Sequence, residues 1–553
     1  MGDDIRNVAA HLPLMAQRQP DTPAIIFPIR GAPPLSVTYA ELDRDCDHIA
    51  HGLHALGITR HVRTALFVTP SPDFFALTFA LFKLGAVPVM IDPGMGVKAV
   101  RACLRQAEPA GFIGVGKAHL ARCLFGWGKG SVEHKVAVGT WFSWGGVTLS
   151  RLREAGEGRG PFLPVDPADD DLAAILFTSG STGPAKGVEY THGNFVAQVE
   201  MLRDLFGIEP GEVDLPTFPL FALFDPALGM TTVVPQMDFS KPGKVDPQNL
   251  LDPIREYGVT NWFGSPAVLR RVAEYCGDDA PLPSLRRVLS AGAPVPPDVL
   301  EVISMRLHES AEIHTPYGAT EALPVCSIGS REILSETAEA TRNGKGVCVG
   351  RVVPPNDVRV IAISDEPLAR WADVNELPKG EIGEIVVNGP TTTRAYFRRD
   401  AATAAAKVVG DDGRLWHRMG DVGYFDDRGR LWFCGRKSHR VRARDGDLFT
   451  LQCEPVFERD PRVGTRVAMV GVPTDDGFEK PVLVVERNAS TTESPFLAWG
   501  DTECVLIAWA TEQDHTFNID TALEYAGPLP TDARHNAKIR REVLRAWAIK
   551  ELS

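Results

Sequence analysis

The chain has 553 residues, of which 44% are hydrophobic and 23% charged, and a formal net charge of −13. One hydrophobic core stops growing well below that length, so at least two domains are expected in a globular protein of ordinary composition. The acidic surplus excludes general affinity for nucleic acid, which needs clustered Lys and Arg against phosphate.

In chain order, MGDDIRNVAAHLPLM opens on acids where a secretion signal needs a basic start, and Arg6 stands where a myristoylation signal needs Ser or Thr. No targeting segment is read there. TALFVT (64–69), the helical DFFALTFALFKLG and then AVPVMID alternate as βαβ units do, which predicts parallel sheet. The apolar run FFALTFALF (74–82) is too short to span a bilayer and runs into Lys83, so it reads as a buried helix and not a membrane span. Further strands are expected at 173–178, 261–264, 287–290 and 381–387. From Arg436 the texture changes to the basic stretch RKSHRVRARDGD, which is either a solvated loop or a hinge between domains. After it VAMVGV, PVLVVE and ECVLIAW read as strands, STTES (490–494) as a loop, and the end of the chain as a helix. The nine cysteines are scattered with no C-x-x-C pair, the pattern of reduced cytoplasmic thiols rather than of a disulfide framework or a zinc site.

The strongest local signal is LFTSGSTGPAKG (176–187), an apolar strand running into Thr, Ser and Gly and ending in Lys186. Glycines let the backbone approach a polyphosphate, exposed N–H groups and hydroxyls donate to its oxygens, and the lysine adds a point charge. A Walker A loop is excluded, because Lys186 follows Ala185 and precedes Gly187. On composition alone the same residues could form a flexible surface loop.

TSGSTGPAKG resembles the signature loop of the adenylate-forming superfamily that holds acyl-CoA synthetases, nonribosomal-peptide adenylation domains and firefly luciferase. SAGAPV (290–295), TPYGATEA (315–322), HRMGDVGYFDDRGRLWFCGRKSHRV (417–441) and LPTDARHNAKIRREVL (529–544) follow in the order of that family. The resemblance implies an α/β fold, with a large N-terminal domain of mixed sheets wrapped by helices over 1–436. A small mobile α+β C-terminal domain over 437–553 would carry the catalytic lysine. It implies ATP and Mg²⁺, and an enzyme that joins a carboxylate to AMP and expels pyrophosphate by positioning and charge neutralisation, with no covalent protein nucleophile.

The same resemblance assigns roles. Thr178, Ser179, Gly180, Ser181, Thr182, Gly183 and Lys186 would hold the phosphates. Gly292, Ala293 and Pro294 would pack along the adenine edge, Tyr317 would stack on the base, and Gly318 and Ala319 would form the turn beside it. Thr320 would donate to phosphate and Glu321 would hold Mg²⁺, a hard cation that prefers oxygen. Asp421 can accept from both ribose hydroxyls and Arg436 can donate to ribose or phosphate. Lys538, preceded by Asn536-Ala537 where the family usually has Ser-Gly, matches the lysine that swings in to bind the forming adenylate; with Thr182, Thr320 and Glu321 it makes the catalytic group.

Three departures bear on the fate of the adenylate. Ala222 stands where many acyl-CoA synthetases carry His, Ser438 at the hinge position is neither Asp nor Lys, and HRVRARDGDLFTLQCEPVFE replaces a glycine-rich stretch. They speak against transfer to coenzyme A, and LFDPALGMTTVVPQMDFSKPGKVDP, TPYGATEALPV and GRKSHRV together are similar to a narrower branch, the β-lactone synthetases of bacterial long-chain olefin biosynthesis. That branch adenylates a 2-alkyl-3-hydroxy fatty acid, whose own hydroxyl then closes a four-membered lactone and releases AMP. It implies partner enzymes, a thiolase-like condensing enzyme, a reductase and a β-lactone decarboxylase, some in one assembly. No base for the hydroxyl is assigned; His192 comes just after the phosphate loop, but one such His is more often structural. FPLFALFDPALGM and NWFGSPAVL are either the walls of an acyl channel or ordinary core. A long-chain acyl-CoA or acyl-AMP ligase stays as the alternative, and a catalytically inactive adenylate-binding protein as a third reading, against which the intact motif set speaks.

Lys538→Ala is expected to cost on the order of a few kcal/mol of transition-state stabilisation for adenylation, read by ATP–pyrophosphate exchange. An unchanged exchange rate would remove the role from Lys538 without touching the family resemblance.

Overall fold

The structure is a computed structural model. It describes residues 5–139, 142–178, 185–275, 281–458, 460, 462–464, 466–487, 496–531 and 539–553.

The βαβ alternation in the sequence becomes two seven-stranded sheets. The first runs in the order Val147–Thr148, His134–Val138, Gly111–Val115, Arg63–Phe67, Val87–Ile91, Leu172–Thr178 and Lys186–Thr191, parallel except for the last pair. The second runs Glu312–His314, Arg287–Leu289, Asn261–Phe263, Val213–Pro216, Thr231–Val233, Pro23–Ile29 and Ala32–Thr38, again antiparallel only at its last pair. Helices cover these sheets. FFALTFALF forms part of helix Pro72–Leu84 and is buried throughout. Lys83, 1% exposed in that apolar helix, is neutralised by Asp43 at 2.6 Å and Asp47 at 2.5 Å from helix Tyr39–Leu56. Removing one carboxylate would leave part of a buried charge uncompensated.

A third sheet of eight strands is antiparallel, and the alternation gave no hint of it. It holds hairpin Tyr317–Ala319/Ala322–Ser327, then Val347–Val352, Leu431–Arg436, Leu415–Phe425, Gly383–Asn388 and Asp357–Ile361, with Lys407–Val409 added along Leu415–Phe425. After Arg436 the chain builds a two-stranded hairpin, Val441–Ala443/Gly446–Leu448, and a three-stranded sheet of Arg466–Pro473, Glu479–Glu486 and Ala522–Tyr525. The basic stretch there is not loose, since Arg440 pairs with Asp365 at 2.7 Å and Asp447 at 2.8 Å. STTES lies outside the described residues.

One expected strand is a helix. ECVLIAW lies within helix Trp499–Ala510, which buries Thr502, Leu506 and Ala510 at helical spacing and leaves Ile507 47% exposed. A short apolar run has no periodicity that separates a buried strand from a buried helix. The closing helix is Arg541–Glu551.

Asp214 on strand Val213–Pro216 and Asp225 at the start of helix Asp225–Leu228 are buried side by side, and Thr232 Oγ1 donates to Asp225 Oδ2 at 2.8 Å. Burial pushes Asp214 up to about 7, and burial together with the charge of Asp214 drives Asp225 well above the carboxylate range, so Asp225 keeps the shared proton. The folded state thus binds more protons than the unfolded chain, in which both groups ionise near 3.8. Stability conferred by the pair is present at acidic pH and is lost as pH rises through about 7 and beyond. Asp225→Asn, whose amide can replace the shared proton, is expected to flatten the fall of melting temperature between about pH 5 and 8. An unaltered slope would show that the pair does not titrate in this way.

Candidate active site

Ligands of parallel sheets collect beyond the carboxyl ends of the strands. In the second sheet the turns after four neighbouring strands, at 217–221, 264–267, 290–294 and 315–317, line one cleft with a volume of about 2820 Å³. That is more room than one small ligand needs. The third sheet supplies the opposite wall through Met419, Gly420, Asp421, Phe433 and Arg436. Ile539, Arg540 and Arg541 reach the same cleft from the end of the chain.

At one end the turn Gly292-Ala293-Pro294 follows strand Arg287–Leu289, with Gly292 at φ +97°, in the left-handed region that a side chain resists. Tyr317 opens strand Tyr317–Ala319, and a Cβ at Gly318 would lie 2.6 Å from the Ala322 carbonyl oxygen, so only glycine fits this hairpin. Asp421 and Arg436 are direct cross-strand partners, Arg436 Nη1 lying 2.8 Å from Asp421 Oδ1. Tyr317 Oη donates to Asp421 Oδ2 at 2.7 Å, and its ring lies 5.8 Å from that of Phe433. Asp421 is 3% exposed in its side chain, and its charge holds the Arg436 guanidinium above its ordinary value. Burial, with Asp421 beside it, pushes the Tyr317 hydroxyl well up. The result is an aromatic face beside a fixed carboxylate and guanidinium, a set that can take a base and a vicinal diol.

At the other end Thr178 and Lys186 face each other across the hairpin of Leu172–Thr178 and Lys186–Thr191, which holds the two ends of the glycine-rich loop side by side. Ser179, Gly180, Ser181, Thr182 and Gly183 lie outside the described residues, as does Lys538. Lys186 Nζ sits 4.7 Å from the centre of the Tyr396 ring, and Tyr396 Oη donates to Glu321 Oε1 at 2.6 Å. The Thr320 carbonyl accepts from Tyr190 Oη, and the Thr393 amide donates to the Glu321 carbonyl at 2.9 Å. Glu321 presents a hard oxygen donor, as Mg²⁺ requires. Among the described residues no cluster of three His, Cys, Asp or Glu could hold a metal alone.

The sequence reading missed Tyr396, Lys407 and His417. Tyr396 reaches the site because 395–397 pairs with the edge strand at Gly187 and Glu189; the aromatic in TTTRAYF was its one signal. Of the residues that were singled out, His192 is buried at the start of helix His192–Phe206 against the Phe82 ring, and burial lowers it to about 4. It does not line the cleft. Ala222 is 3% exposed and packs into the core, while its neighbours Phe221 and Leu223 face the cleft. Ser438 is exposed at the cleft mouth. Phe218, Phe221 and Phe263 form an apolar wall, the last two stacked 4.2 Å apart. Behind it a small apolar recess of about 60 Å³ includes Phe224, Leu228, Asp214 and Asp225 in its lining. Parts of FPLFALFDPALGM and NWFGSPAVL are therefore wall and parts are core.

Asp421→Ala removes the acceptor of Tyr317 and strands Arg436, and it is expected to weaken nucleotide binding at least about tenfold, read by titration calorimetry. Retained affinity would exclude Asp421 from the nucleotide site.

The sequence profile of the AMP-binding enzyme family matches residues 14–397. The chain is 51% identical over 566 residues to the olefin β-lactone synthetase of Xanthomonas campestris pv. campestris, with all of both chains covered. It is 49% identical over 557 residues to the olefin β-lactone synthetase of Stenotrophomonas maltophilia, covering 99% of this chain and 98% of that one. Among solved structures, the amide bond synthetase McbA from Marinactinospora thermotolerans matches with a TM-score of 0.77 at 22% identity, over 98% of this chain and 99% of that one, a likeness of fold. By these matches the chain belongs to the AMP-binding enzyme family, in the branch of the olefin β-lactone synthetases.

Proposed function

We propose that the protein joins the carboxylate of a 3-hydroxy acid to AMP at the expense of ATP and then closes the acyl-adenylate to a β-lactone. The observation that carries this reading is the 51% identity over the full chain to a protein named olefin β-lactone synthetase. In the first step a carboxylate oxygen attacks the α-phosphate and pyrophosphate leaves. In the second the 3-hydroxyl oxygen attacks the activated carbonyl, its proton passes to an unassigned base, and AMP leaves as the C–O bond to phosphate breaks. Holding the nucleophile in the same molecule supplies several kcal/mol of proximity towards closing the strained ring.

The roles follow the family motifs, which the geometry of the described residues supports. Tyr317, Gly318 and Ala319 with Gly292, Ala293 and Pro294 would bracket the base, and Asp421 with Arg436 would hold the ribose. Thr178, Ser179, Gly180, Ser181, Thr182, Gly183, Lys186 and Thr320 would take the phosphates. Mg²⁺ held by Glu321 would supply neutralisation of the leaving phosphates. Lys538 would bring positive charge to the forming adenylate; Arg541 in the cleft, close downstream in the chain, supports this. In the same reading 1–436 is the adenylating domain and 437–553 a mobile smaller one, divided at the Arg436 turn. The apolar wall of Phe218, Phe221 and Phe263 supports a long-chain acid with a 2-alkyl branch. Such a product belongs to olefin biosynthesis, in possible contact with a β-lactone decarboxylase, a reductase and a condensing enzyme. We place the protein in the cytoplasm because the cysteines among the described residues are all free. No helix among the described residues is long and apolar enough to cross a membrane.

Incubation with ATP, Mg²⁺ and a long-chain 2-alkyl-3-hydroxy acid, with mass spectrometry of the products, tests the reading. Lactone and AMP are expected without coenzyme A. A strict requirement for coenzyme A, with a thioester as product, would favour the acyl-CoA ligase instead.

A further inference from the structure

The phosphate end of the cleft carries more positive groups than the glycine-rich loop accounts for. On strand Lys407–Val409, Lys407 stands directly opposite His417 of strand Leu415–Phe425, so the two side chains project from one face. His417 lines the cleft and is 2% exposed, and the Ala406 backbone hydrogen-bonds its ring. Lys407 is 6% exposed, and its ammonium donates to the Thr393 carbonyl, while the Thr393 amide donates to the Glu321 carbonyl. Neither group forms an ion pair among the described residues, and Glu321 is the carboxylate that acts on Lys407. Lys186 in turn acts on His417. Three basic side chains, Lys186, Lys407 and His417, are thus gathered about the single carboxylate of Glu321.

Burial holds basic groups towards their neutral forms, and an anionic ligand placed among them favours the charged ones. Burial holds Lys407 down at about 7. Burial, then the charges of Lys407 and Lys186, keeps His417 well below its ordinary value. His417 belongs to the cleft wall, as do Lys186 and Glu321, and Lys186 acts on its ring.

We propose that His417, with Lys407 behind it as a positioning residue, is a further binding site for the terminal phosphates of ATP and for the pyrophosphate that leaves. The proposal rests on the adenylating reading above. A phosphate oxygen brought to the cleft-facing edge of the imidazole favours the imidazolium form, which then donates to it; the proton comes from solvent or from the acid form of the phosphate. Lys407 keeps the imidazole in place and adds charge behind it, as a second cation does in other polyphosphate sites.

The test uses the full-length protein and two probes, Mg²⁺-pyrophosphate and AMP, each titrated calorimetrically. His417→Ala is expected to weaken pyrophosphate binding about tenfold or more, and Lys407→Met by a smaller factor of about three, with AMP affinity unchanged. His417→Gln, which keeps a donor of similar reach, is expected to recover part of the loss. Unchanged pyrophosphate affinity in His417→Ala overturns the proposal. So does a parallel loss of AMP binding in both His417 variants, since His417 would then shape the whole cleft rather than its phosphate end. Failure of the adenylating reading has a different signature, namely no ATP–pyrophosphate exchange by the unaltered protein.

Discussion

The ion pair of Asp421 and Arg436 is the constraint on which the site turns. It exists because two antiparallel strands meet in one register. In a strand a slip of one residue moves every side chain to the other face. Such a slip would take Asp421 away from Tyr317 as well as from Arg436. It would also displace Arg418, which on the same strand is fully buried against Glu384 at 2.6 Å. Glu384 further holds Lys437, the residue after Arg436, at 3.0 Å. One hairpin therefore fixes the carboxylate beside the aromatic ring, the guanidinium beside the carboxylate, and the point from which the chain departs towards its last two sheets.

The two ends of the cleft manage charge in opposite ways. Around Asp421 each charge has its partner, so that end is complete without a ligand. Around Glu321 basic side chains outnumber carboxylates, which suits a ligand that carries most of the negative charge itself. The contrast follows from the chemistry of a nucleotide, neutral at its base and sugar and polyanionic at its phosphates.

Much of this was legible in the sequence, and the limits have physical causes. SAGAPV and TPYGATEA sit on turns at strand ends, where local spacing determines what a side chain meets. The apolar helix at 72–84 was legible because its composition admits no exposed face. Tyr396 and Lys407 were not, because each is brought in through strand pairing, which leaves no local pattern, and His417 opened a motif in which nothing marked its role. Asp225 lay in a quoted motif, yet nothing in that motif reveals that its carboxyl would be buried against Asp214. ECVLIAW was misread because apolar content reports burial and not conformation.

The thiols have a practical consequence. Cys46, Cys103, Cys326, Cys348, Cys434 and Cys453 are buried, and burial raises the thiols of Cys103 and Cys348 to about 11 and those of the other four further still. Thiols so protected react slowly with electrophiles. Cys123 and Cys504 are exposed, the first on helix Gly116–Phe125 beside the first sheet, the second on helix Trp499–Ala510 in the part of the chain beyond Arg436. Once Cys276, which lies outside the described residues, is replaced, the chain carries a pair of attachment points for spectroscopic labels, one on each side of the Arg436 turn. The separation of the two labels would report directly on any swing about that turn during turnover.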